Sequence, residues 1–113
     1  MRVLVISRSK FFREAVRFII QDMVDKVETT ERPDSVKDVG DYDLILCDLS
    51  CFDEPRKIAD ILRAFKERGV RVVVFSFDPA ERFRDFITRA GADGYIHRPL
   101  DPESVRDLIS RIR

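Results

Sequence analysis

The sequence has no surplus of either charge: 21 Lys and Arg face 21 Asp and Glu, a formal net charge of zero at pH 7. Proteins that neutralise phosphates carry a basic excess, so this balance argues against nucleic acid as a direct partner. Long apolar runs are missing too. Nothing approaches the roughly 18 residues of a membrane span, and Val3-Leu4-Val5-Ile6 is too short for the core of a secretory signal. A cytoplasmic location without membrane contact is the expectation. There is one histidine, and there are two cysteines, Cys47 and Cys51. Their spacing is neither Cys-x-x-Cys nor half of a zinc site, and a single histidine cannot complete one. Both cysteines read as small packing residues.

What is present suits one globular domain. The chain has 113 residues, of which 44% are apolar, enough for a packed core and too many for a disordered chain. Charged residues reach 37% against a usual quarter, which reads either as ion-pair networks of the heat-adapted kind or as a well-solvated surface. Short apolar blocks rich in β-branched residues recur at Val3-Leu4-Val5-Ile6, Leu44-Ile45-Leu46-Cys47 and Val72-Val73-Val74-Phe75. Strands apolar on both faces belong in a parallel sheet covered on both sides. Lys26-Val27-Glu28-Thr29-Thr30 and Gly94-Tyr95-Ile96 add two weaker strands.

Segments with helical period lie between them. Phe12, Val16, Ile19, Ile20 and Met23 mark the first. A short one follows Pro33, carries Val36 and Val39, and stops at Gly40. Ile58, Ile61, Leu62 and Phe65 mark the third, which ends before Gly69. The fourth starts at Asp78-Pro79-Ala80-Glu81, a cap followed by proline and an acid. Its stripe is Phe83, Phe86, Ile87 and Ala90. Asp101-Pro102 repeats that signal for a fifth helix with Val105, Leu108, Ile109 and Ile112. Five β-α units in succession predict a three-layer flavodoxin-like α/β fold with strand order 2-1-3-4-5. The Phe11-Phe12 pair is expected in the core or covering the first helix.

In that topology ligands bind beyond the carboxyl ends of strands 1 and 3, where the winding reverses. Ser7, Arg8 and Ser9 follow strand 1, Asp48, Leu49 and Ser50 follow strand 3, Ser76 ends strand 4, and His97, Arg98 and Pro99 follow strand 5. The turn Ser7-Arg8-Ser9-Lys10 has no glycine, which disfavours a dinucleotide, a P-loop or a flavin phosphate. No G-x-S-x-G occurs, so a hydrolase elbow is missing as well. An enzyme is not expected.

These residues resemble the receiver domain of bacterial response regulators, the CheY-like fold, over residues 1–113 as one receiver-like domain. Tyr42-Asp43-Leu44-Ile45-Leu46-Cys47-Asp48 is similar to the family segment that ends in the phospho-accepting aspartate, which makes Asp48 the candidate acceptor. Ser76 matches the small hydroxyl residue that ends strand 4. Ala90-Gly91-Ala92-Asp93-Gly94-Tyr95-Ile96-His97-Arg98-Pro99-Leu100 resembles the family signature, with Tyr95 as the switch aromatic. The resemblance implies a pocket of Ser7, Arg8, Ser50, Ser76, Arg98 and Pro99, a cis Arg98-Pro99 bond, and signalling partners such as a histidine kinase or an output protein. It also implies a symmetric dimer or partner face on the fourth helix, fifth strand and fifth helix, where Arg82, Arg84, Asp85, Arg89, Arg106, Asp107 and Arg111 carry both signs.

The departures from the family decide the functional expectation. Relatives end strand 1 with two acids that hold Mg²⁺; here that pair reads Ser7-Arg8. The family lysine is Arg98, and the loop Leu49-Ser50-Cys51-Phe52-Asp53-Glu54-Pro55 has its proline displaced. Where the family pocket carries a net charge of −2, Asp48, Arg8 and Arg98 carry one negative and two positive charges. Such a pocket suits a phosphate's oxygens but not a hard dication that binds through carboxylates and water. The expectation is a degenerate receiver that binds no metal or binds it weakly, has no other cofactor, and acts by protein–protein contact. Arg8 either pairs with Asp48 or stays solvated, and Tyr95 is half-buried with a wet hydroxyl. The alternative is a live receiver phosphorylated on Asp48.

Overall fold

The computed structural model describes residues 1–33, 38–51, 55–76, 83–97 and 101–112. Five parallel strands, β1 (Arg2–Ile6), β2 (Lys26–Thr30), β3 (Leu44–Asp48), β4 (Arg71–Ser76) and β5 (Gly94–His97), form one sheet in the order β2-β1-β3-β4-β5. The expected order is the observed one. Four α-helices are described: α1 (Lys10–Ile20), α2 (Pro55–Glu67), α3 (Arg84–Arg89) and α4 (Pro102–Ile112).

Alternation along each strand divides the apolar residues between two layers, because successive side chains leave opposite faces of a pleated strand. Val3, Val5, Leu44, Leu46, Val73 and Phe75 point to one face, where Phe12, Val16 and Ile20 of α1 and Val105 and Ile109 of α4 cover them. Leu4, Ile6, Ile45, Cys47, Val72 and Val74 point to the other, under Ile58, Leu62 and Phe65 of α2 and Ile87 of α3. The same alternation that makes the strands apolar on both faces therefore requires helices on both. Cys47 is a buried free thiol in the second layer, the packing role expected of it.

Helix α1 starts where the Ser9 hydroxyl accepts from the Phe12 amide at 3.1 Å, satisfying one of the orphan donors of a first turn. Phe12 packs edge-on to Phe75 with centroids 5.2 Å apart. Phe11 departs from the expectation: it is 84% exposed. One residue along a helix is a rotation of about 100°, so both rings of an adjacent pair cannot face the core.

Two helices also differ. After β2 the described chain makes a single 3₁₀ turn, Val39–Asp41, in which Gly40 takes part instead of ending a helix. The turn cannot extend, because the Asp43 amide two residues later already donates to Arg2 O at 2.9 Å and so joins the sheet. Residues 34–37 lie outside the described residues. Helix α3 is described only from Arg84, and the start signal at Asp78-Pro79-Ala80-Glu81 falls outside them. Gly69 ends α2 with φ +78°, a left-handed conformation that other residues adopt only under strain. Among the described residues no helix is long and apolar enough to cross a membrane.

Candidate functional site

Among the described residues the buried polar side chains are Ser7, Asp48 and Ser76, and all three stand where strands end at the carboxyl edge of the sheet. Register places them together. Ile6 pairs with Cys47 and Asp48 with Phe75, so Ser7 and Ser76 flank Asp48 from the neighbouring strands. A buried polar group is costly unless hydrogen-bonded, and these are bonded. Asp48 is 3% exposed. Its Oδ2 accepts from Ser7 Oγ at 2.8 Å and its Oδ1 accepts from the Ser50 amide at 3.0 Å. Ser7 Oγ in turn accepts from the Ser9 amide at 3.1 Å, so one relay runs from the start of α1 to the carboxylate. Ser76 is buried as well, at 1% exposure.

Of the two placements expected of Arg8, the structure shows the exposed one. Arg8 is exposed, and the partners of Asp48 among the described residues are Ser7 and Ser50, so no Arg8–Asp48 ion pair forms. The reason is local: Ser7 directs its short side chain inward onto Asp48, while Arg8 lies in the bend that follows β1 and faces outward. One guanidinium of the network is that of Arg13, whose Nη1 donates to Ser7 O at 2.6 Å. Sequence reading missed it, because Arg13 lies one turn into α1 between apolar stripe positions. A cation four residues after an N-cap serine was the available signal.

The wider molecule can now be compared with known proteins. No protein-family model matches the chain. It is 28% identical over 117 aligned residues to the chemotaxis protein CheY of Halobacterium salinarum, covering 98% of this chain and 95% of that protein. Its fold is similar to that of a CheY-like response regulator receiver domain protein from Methanospirillum hungatei, with TM-score 0.80 and 17% identity over 97% of this chain and 90% of that one. It is also similar to chemotaxis response regulator CheY4 of Vibrio cholerae, with TM-score 0.77 and 17% identity over 99% of this chain and 98% of that one. The chain has the CheY-like receiver fold.

Within this fold, the remaining predicted residues fall in three places. Ser50 contributes its backbone amide, while its side chain is exposed. Tyr95, on β5, packs into the layer under α2 and α3, and the Arg84 guanidinium lies 5.5 Å from its ring centroid. Its hydroxyl is buried with no hydrogen-bond partner among the described residues, which corrects the expectation of a wet one: the half-buried ring turns its polar tip inward. Arg98 and Pro99, with the bond between them, lie outside the described residues. His97 pairs with Ser76 in the backbone register.

The donor set bears on the metal that receivers hold. Asp48 is the single carboxylate of the described site, and each of its oxygens already accepts a protein hydrogen bond. Among the described residues no group of three or more His, Cys, Asp or Glu could hold an ion. Mg²⁺ requires octahedral oxygen ligands, with carboxylates supplying the charge. One occupied carboxylate beside hydroxyls does not fit it.

Proposed function

We propose that this receiver domain is a module of two-component signalling that acts through protein–protein contact, with little or no Mg²⁺-dependent phosphorylation. The supporting observation is the engagement of Asp48, both of whose oxygens accept short hydrogen bonds inside a buried relay. A carboxylate held this way is a structural hub, its position fixed by the two donors that also lower its nucleophilicity. Phosphoryl transfer also needs positive charge on the equatorial oxygens, which relatives take from a dication that this donor set does not suit. Residues 1–113 form one cytoplasmic, non-enzymatic domain in this reading. Its partners are a histidine kinase or an output protein rather than nucleic acid or membrane.

Signalling partners are assigned to the edge formed by α3, β5 and α4, where exposed Arg84, Asp85, Arg89, Asp107 and Arg111 mix both signs. Arg106 leaves that face: it donates to Ile19 O and to Asp22 Oδ1, both at 2.9 Å, tying α4 to α1. Arg82 lies outside the described residues.

A second reading, phosphorylation on Asp48, draws on the burial of Asp48 and Ser76 side by side at the strand ends. One experiment separates the two. The protein is incubated with a small phosphodonor and Mg²⁺, and its mass is measured. No added phosphoryl group is expected. Stoichiometric labelling that Asp48→Asn abolishes would establish the second reading.

A further inference from the structure

Helix α1 presents two phenylalanines to solvent. Phe11 is 84% and Phe18 76% exposed, against 39% for Phe86, the third large apolar side chain in this condition among the described residues. Single exposed apolar residues are ordinary, but two rings on one stripe form a patch that calls for a partner. Seven residues apart, they lie within about 20° of each other around the helix, with half-buried Ala15 beside them. Exposed Lys10, Glu14 and Arg17 run along the flank of the same stripe. No carboxylate or guanidinium of that flank is paired among the described residues.

We propose that this stripe is a homodimer interface in which α1 packs antiparallel on α1 of a second copy. The pattern is self-complementary, as a two-fold interface requires. With the axis between residues 14 and 15, Phe11 faces Phe18 of the second copy and Phe18 faces its Phe11. Each Glu14 then comes within side-chain reach of the second copy's Arg17, so two opposite-charge pairs line one side of the rings. A basic or acidic foreign surface would meet one of those signs with repulsion, whereas a second copy meets both with their opposites. Four aromatic side chains bury roughly 150–250 Å² each, which with their neighbours reaches the lower end of a specific interface. The dimer is therefore weak and concentration-dependent. It is separate from the α3–β5–α4 edge and stands whether or not Asp48 is phosphorylated.

The test is sedimentation velocity on the full chain between about 10 µM and about 1 mM, a range that spans weak association. The average mass should rise from that of one chain towards that of two. Phe11→Ser with Phe18→Ser should abolish the rise, and Phe86→Ser should leave it intact. Arg17→Glu should weaken association about tenfold or more, and combining it with Glu14→Arg should restore it. A chain that stays monomeric throughout overturns the proposal. So does a dimer indifferent to the paired serine substitutions, or one that the charge exchange fails to restore.

Discussion

Ser7 carries more of the site than its size suggests. Its hydroxyl donates to Asp48 and accepts from the Ser9 amide, so its removal leaves a buried carboxylate oxygen and an amide short of partners. Ser7→Ala should lower unfolding free energy by about 1–3 kcal/mol, read as a lower urea midpoint at unchanged slope. Asp48→Asn should cost less, because the amide can still accept from Ser50 and donate to Ser7. Arg8 tests the electrostatic argument. Arg8→Asp restores one acid of the missing pair and should raise Mg²⁺ affinity at least tenfold, about 1.4 kcal/mol, by calorimetric titration. Undetectable binding in that variant would show that charge is not what keeps the ion out. At this scale the sequence placed Ser7, Asp48 and Ser76, since a strand's end is a position along the chain. It did not place Arg13 or the Tyr95 hydroxyl. How far a side chain reaches, and whether water reaches it, depends on which helix lies above it.

Helices and strands are joined by polar clamps that periodicity does not reveal. Asp93, just before β5, accepts the Val72 amide at 2.8 Å on Oδ2, and Lys66 Nζ at 2.9 Å on Oδ1 and 2.7 Å on Oδ2. It thus fastens α2 to β4 at the point where β5 enters the sheet. Asp93→Ala should cost about 1–3 kcal/mol, because the amide of fully buried Val72 loses its acceptor. Lys66→Ala should cost at most about 1 kcal/mol, the worth of a partly exposed ion pair. Equal losses in thermal or urea unfolding would refute the assignment of the clamp to the amide. The elements themselves were legible: all five strands and the stripes of α1, α2 and α4 followed from period alone. The segment after Pro33 was not, because a pull from β1 on the Asp43 amide decides where that turn stops.

At the scale of the molecule, the two ends of the sheet differ in chemistry. The carboxyl edge holds the buried relay, while the amino edge carries exposed charge. There Tyr42 donates to Glu28, Lys26 pairs with Glu28 at 2.8 Å, and Arg2 lies over the Tyr42 ring at 5.8 Å. The hydrogen bond to Glu28, then burial, pushes the Tyr42 phenol up to about 12. Glu28 is held below its usual range, first by Lys26 and then by Tyr42. A phenol whose folded pKa is raised binds its proton more tightly when folded, so its contribution is complete below about 10 and fades as pH rises through about 12. Spectrophotometric titration should find Tyr42 ionising near the upper value, and Glu28→Gln should return it towards about 10. Elsewhere described charges form pairs such as Lys66–Asp93 and Arg106–Asp22. By itself the sequence determined the layers and the strand order, because alternation and helical period are one-dimensional patterns that force burial on one geometry. The tertiary structure decided which groups share a hydrogen bond: that Asp48 answers to Ser7 and Ser50, that Arg13 reaches Ser7 O, and that Phe11 and Phe18 stand outside the core. Those outcomes turn on distances of a few ångströms between elements far apart in the chain, and no pattern along one strand or helix encodes them.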